Sequence, residues 1–145
     1  MASVFVFLTG ACREECGFVP RSLAIADFYT VINGTGINAP VDSLSVRGLG
    51  REDSLLYAAV NNTRTISLPM NGVASESGFI IDFDQGTDTI WFSYEVVPFF
   101  LSPECGFIFE FDLQEISHTR NLIDSVIIVT SRITTLDETN ILIYN

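Results

Sequence analysis

From Leu23 to Tyr144 the chain is a succession of short apolar runs separated by Gly, Asn, Asp and Pro, with no helical stripe longer than two turns. Such a rhythm predicts an all-β domain. The spacing predicts about nine short strands, over Leu23–Val31, Leu44–Leu49, Leu55–Val60, Arg64–Leu68, Gly78–Asp84, Thr87–Val96, Cys105–Asp112, Asp124–Ile133 and Thr139–Tyr144. Phe79, Ile81 and Phe83 alternate with Ile80, Asp82 and Asp84, and Phe107, Phe109 and Phe111 alternate with Ile108, Glu110 and Asp112. A period of two marks a half-buried strand. Gln85-Gly86 sits at hairpin spacing between Phe79–Asp84 and Thr87–Val96, with Gly86 free to take a positive φ. Asn33-Gly34, Asn61-Asn62 and Asn71-Gly72 are further turn signals. The only helical piece expected is a single turn around Leu113–Asn121. Strands with one apolar face each bury those faces most completely between two stacked sheets. The expected fold is therefore an antiparallel, immunoglobulin-like β-sandwich, with a closed barrel as its rival.

Length supports this reading, since 145 residues suit one core and not two. Residues 1–12 read as a remnant signal peptide ending in a lipidation cysteine, 13–22 as a tether, and 23–145 as a single sandwich domain. The run Val4-Phe5-Val6-Phe7-Leu8 is far too short to span a bilayer, but it leads through Thr9-Gly10-Ala11 to Cys12. Small residues before a cysteine are what lipoprotein processing requires. No Lys or Arg precedes the run, as in a truncated leader. Cys12 is thus the candidate lipidation site, and Cys16 and Cys105 are left as a pair for a disulfide in an oxidising envelope compartment. The alternative for Cys105 is a nucleophile served by His118, the single histidine.

Charge narrows the function classes. With 7 basic and 18 acidic residues the net charge is −11, which repels nucleic-acid phosphates and anionic membrane surfaces. No nucleic-acid partner is expected, and membrane contact is expected only through a lipid anchor. Every basic residue is Arg, which excludes Schiff-base and P-loop lysine chemistry.

The blocks Leu23-Ala24-Ile25-Ala26-Asp27-Phe28-Tyr29, Leu44-Ser45-Val46-Arg47-Gly48 and Asp53-Ser54-Leu55-Leu56-Tyr57 occur in a characteristic order. They are followed by Ile66-Ser67-Leu68-Pro69, Thr87-Asp88-Thr89-Ile90-Trp91-Phe92-Ser93-Tyr94, Ser102-Pro103-Glu104-Cys105-Gly106-Phe107 and Asn140-Ile141-Leu142-Ile143-Tyr144. In that order they resemble the DUF6452 family of uncharacterised Bacteroidetes lipoproteins. The resemblance implies lipidation at Cys12, a second cysteine shortly after it, and a third in the Cys-Gly-aromatic block. It also implies an outer-membrane lipoprotein of the cell envelope, periplasmic or surface-exposed, and brings no activity with it. Glu14-Glu15 behind Cys12 look like a surface-export signal of such lipoproteins, or equally a solvated tether.

No catalytic or metal-binding residues and no cofactor are assigned. Asp82, Asp84 and Asp88 around the Gly86 turn offer oxygen ligands for calcium, but they lack the twelfth-position acid of a calcium loop and read as solvent-facing charge. His118, in Ser117-His118-Thr119-Arg120, reads as a solvated loop histidine. Pro98 and Pro103 argue against a central strand in Val96-Val97-Pro98-Phe99-Phe100-Leu101-Ser102-Pro103. That segment either crosses between sheets with Phe99 or Phe100 in the core, or exposes an aromatic patch with Trp91 for a partner protein or glycan. The functional expectation is a non-catalytic binding or accessory module of the envelope. Its alternatives are a structural subunit of an envelope complex or, less favoured, a hydrolase.

Overall fold

The alternating runs become eleven strands, described here from a computed structural model covering residues 16–145. Cys12 and the apolar run before it lie outside the described residues. In chain order the strands are β1 (Leu23–Ile32), β2 (Thr35–Asn38), β3 (Leu44–Gly48), β4 (Leu55–Val60), β5 (Thr65–Pro69), β6 (Glu76–Phe83), β7 (Gly86–Ser102), β8 (Gly106–His118), β9 (Ser125–Ile128), β10 (Arg132–Ile133) and β11 (Thr139–Tyr144). The first sheet runs β2-β1-β11-β9, with β5 also paired to β1, end to end with β2. The second runs β10-β8-β7-β6-β3-β4. The two sheets enclose one core, a β-sandwich as the pattern predicts. All pairings are antiparallel except β1 with β11, which brings the first and last strands side by side in parallel.

Alternation decides which side chains meet. Ala24, Ala26 and Phe28 of β1 and Ile141 and Ile143 of β11 are fully buried, facing Leu44, Val46, Ile81, Ile90 and Phe92 of the second sheet. Phe28 and Phe83 close the gap between sheets edge to face, their ring centroids 6.2 Å apart. On the outer face of the first sheet, the Asp27 carboxylate accepts hydrogen bonds from the Thr65 and Thr139 hydroxyls and so laces β5, β1 and β11 together.

Three local expectations are corrected. The β6–β7 hairpin forms, but Phe83 pairs with Gly86, so the turn is Asp84-Gln85 and Gly86 needs no positive φ. Asn33 and Gly34, by contrast, both take positive φ, 52° and 78°, the requirement of a two-residue hairpin turn, and they generate β2. The helical turn around Leu113–Asn121 does not exist, because β8 runs straight to His118. Ser93 pairs with Glu115 and Tyr94 with Leu113, so Gln114 is a bulge that changes the inward spacing from two residues to three. Finally, β7 passes through Pro98. Beyond Ser93 it pairs only with β8, so the missing N–H of Pro98 falls in a strand open on its other edge, where proline is tolerated and blocks further pairing.

The β1–β11 register skips Asn140, which is 2% exposed. Its side-chain carbonyl accepts the Ile25 N–H at 2.9 Å, and its amide donates to the Thr130 and Arg132 carbonyls at 3.0 and 3.1 Å. Those carbonyls belong to the segment that leaves β9 in the first sheet and enters β10 in the second. One amide therefore fills a bulge and pins a sheet crossing. Replacing it by Ala leaves three part-buried backbone groups without their partner, so Asn140→Ala is expected to cost about 2 kcal/mol in urea unfolding, with an unchanged m-value.

Candidate functional site

The groove beside Trp91 begins with two glycines and a loop. Gly78 of β6 pairs directly with Trp91 of β7, whose indole lies half-buried on the outer face of the second sheet. A Cβ on Gly78 would stand 3.0 Å from Leu49 Cδ2 and 3.2 Å from Trp91 Cδ1. The absent side chain lets Leu49 and Trp91 converge over a bare backbone floor. The loop after β3 is fixed by Gly50 at φ +83° and by the Glu52 carboxylate, which accepts the Gly50 N–H at 2.9 Å. That hydrogen bond, with one from its own N–H, holds the Glu52 carboxyl below the ordinary value. This loop carries Arg51 to the rim.

The opposite wall is the turn after β5. Tyr94, buried in the core edge to face with Phe111, donates its hydroxyl to the Asn71 carbonyl at 2.7 Å and accepts the Asn71 N–H at 3.1 Å. The resulting cleft has a volume of about 610 Å³, within the range of small-ligand sites, and is lined by Arg21, Leu49, Arg51, Leu56, Glu76 and Trp91 among others. The ion pairs among the described residues are Arg47–Asp82 and Arg132–Glu110, so within those residues neither groove guanidinium is paired. An aromatic ring, apolar flanks, two arginines and one carboxylate suit a ligand with a flat apolar face and an anionic group.

Trp91, Phe99 and Phe100 do not form one patch. Trp91 and Phe99 share the outer face of β7 but are eight residues apart, about 26 Å of strand. Phe100 points the other way. Phe99 and Phe100 do not cross to the first sheet or enter the core; they are 47% and 53% exposed on the arm that β7 and β8 extend past the sandwich.

Cys16 and Cys105 are joined, with Cα atoms 5.1 Å apart, and the bond fastens the tether to the β7–β8 turn at the arm's tip. Cys105 is therefore no thiol, and His118 stands at the far end of β8, about 40 Å away. His118 itself is half-buried and ends a strand, where Nδ1 donates to the Thr119 carbonyl, in place of the solvated loop position.

The three aspartates are also dispersed. Asp82 points outward to the Thr87 hydroxyl and Arg47, and Asp84 lies in the turn. Asp88 points inward and is 1% exposed, against the solvent-facing reading. Its alternation with Ile90 and Phe92 is the signal that places it inside. It accepts hydrogen bonds from the Thr119 hydroxyl and from the N–H groups of Asn121, Leu122 and Ile123. Burial works to raise the Asp88 pKa, but the Thr119 hydroxyl and the N–H groups of Asn121, Ile123 and Leu122 outweigh it and hold the carboxyl below its ordinary value.

The groove residues Arg21, Arg51 and Glu76 come from three separate segments and carry no local motif, so no sequence signal singles them out. Phe107 and Phe109 are exposed beside Phe100, and their alternation was legible although their exposure was not.

Two outcomes follow. A non-reducing peptide map of alkylated protein is expected to show a linked Cys16–Cys105 peptide, and reduction to lower stability by about 4 kcal/mol, since the bond closes a loop of 89 residues. Asp88→Asn is expected to cost about 3 kcal/mol at neutral pH, because an amide N–H₂ would face backbone donors. A depressed folded-state pKa stabilises fully above the ordinary value of 3.8 and progressively less as pH falls below it through the folded-state value. The wild-type advantage over Asp88→Asn should therefore shrink across that acid window in urea titrations.

No curated protein and no solved structure matches the chain. Residues 43–145 match one family model, so the match contains Trp91, the arm and Cys105, and begins after β1, β2 and Cys16. The chain belongs to DUF6452, a family of unknown function.

Proposed function

We propose that the chain is a non-catalytic binding module of the bacterial cell envelope, a lipoprotein of the Bacteroidetes type tethered through Cys12, and that the groove beside Trp91 takes an acidic glycan. The observation that carries this reading is the convergence of Arg21, Arg51 and the single Trp on one cleft of about 610 Å³, in a chain whose net charge is −11. Such a chain repels anions everywhere except where guanidiniums are concentrated. Trp91 offers a ring against which the apolar face of a sugar packs, and Arg presents a planar fork to its carboxylate. Glu76 supplies an acceptor for sugar hydroxyls at the same rim.

Tryptophan emission reads this site directly, because Trp91 is the single tryptophan. Titration with uronic-acid oligosaccharides is expected to give a saturable change, and neutral oligosaccharides of the same length a much weaker one. Arg51→Ala and Arg21→Ala should each weaken binding about tenfold, the worth of one charge-assisted contact. An unsaturable response, or affinities indifferent to both arginines, would sink the assignment of this groove.

A further inference from the structure

The β7–β8 arm exposes more aromatic surface than any other part of the described residues. Directly paired residues share a face, so Phe100 with Phe107 and Pro98 with Phe109 extend the core-facing side of the hairpin beyond the core itself. Phe107 is 65% exposed, and the Phe100 and Phe107 rings meet edge to face at 5.4 Å. Phe99 is exposed on the other face, and Phe18 and Val19 are exposed on the tether two and three residues from Cys16. At the arm's base Phe109 lies over Gly72, where a Cβ would come within 2.5 Å of the ring. The arm is thus braced at its base, bonded at its tip, and apolar on both faces. Contiguous exposed apolar surface of this kind marks a contact with a partner or a membrane.

The disulfide selects between those two. Four Cα–Cα steps separate Cys12 from Cys16, which reach at most about 14 Å when extended. Cys16 and Cys105 have Cα atoms 5.1 Å apart. A lipid on Cys12 consequently holds the arm's tip within about 20 Å of the bilayer surface. A lipid anchor on a short tether fixes one point of the chain at the bilayer, and a second contact at the arm's tip adds to it. The acidic Glu104 at the tip disfavours an electrostatic contact, which leaves apolar insertion as the second signal.

We propose that the arm is a bilayer-docking element, with Phe18, Phe99, Phe100 and Phe107 seated at the headgroup–acyl boundary of the membrane that holds the lipid. The proposal rests on the tether reading above and adds to it the surface that meets the membrane. It also orients the domain, because Trp91 lies about 26 Å up β7 from Phe99, which holds the groove away from the bilayer plane.

Two single-tryptophan proteins test it, both produced in the native host and extracted from its membranes in detergent. One is the natural chain with Trp91, and the other is Trp91→Phe/Phe107→Trp, whose urea midpoint is compared with that of Trp91→Phe to establish folding. Each is reconstituted into phosphatidylcholine vesicles with brominated acyl chains and floated. Co-flotation of both, with emission at position 107 quenched about twofold and emission at Trp91 unquenched, is the expected result. Co-flotation without quenching at position 107 overturns the arm and leaves the tether standing; a doubled mass or a recovered partner protein in that case names the true occupant. Failure of the natural chain to float removes the tether and the docking with it.

Discussion

The buried carboxylate of Asp88 holds the fold together at its most exacting point. After His118 the chain must leave the second sheet and reach β9 in the first, and backbone N–H groups in such a crossing have no ladder to join. Asp88, already anchored in the middle of the second sheet, supplies acceptors to three of them and to the Thr119 hydroxyl. The loop so held places Ile123 in the core with no exposed surface. A neutral side chain of the same size offers fewer acceptors at that spot, which explains a charge where the pleat demands an apolar residue. The next crossing, from β9 to β10, is held by Asn140 in the same manner. Buried polar groups here are joints, and the apolar core fills the space between them.

With the crossings fixed, the two sheets present their irregular features at predictable places. Beyond Ser93, β7 outruns β6, and past Val96 it becomes half of an arm without inner cover. The same overrun leaves the turn after β5 exposed above β6, where Tyr94 captures Asn71 and shapes one wall of the groove. Arm and groove therefore arise from one cause, the unequal lengths of β6 and β7.

Much of this was legible in the chain. The limits of β4 and β11 follow from their short apolar runs between turn residues, the β6–β7 pairing from hairpin spacing, and the Cys16–Cys105 bond from the cysteines left once Cys12 is set aside. The rest was hidden for identifiable reasons. Strand β2, Thr-Gly-Ile-Asn, is small and largely solvent-facing, so it carries no hydrophobic period; it exists because Asn33-Gly34 folds it back onto β1. The bulge at Gln114 imitates a helical spacing. Pro98 reads as a strand breaker until it is known that the strand has one open edge. The groove was the least legible feature, since its chemistry is assembled from the tether, the loop after β3 and β6, and each contributes a residue that looks like ordinary surface by itself.

The tether is where these features meet. Within seven residues it runs from Cys16, bonded to the tip of the arm, to Arg21 and Ser22, the last residues before β1. Arg21 lies on the groove and Cys16 on the arm, so the two ends of one short segment belong to the two surfaces. A ligand gripped between Arg21 and Arg51 would span the tether and the second sheet at once, and so would restrain the same segment that the disulfide restrains at its other end. Any freedom the tether keeps is thus shared between groove and arm, and ordering it at one end lowers the entropy left to lose at the other.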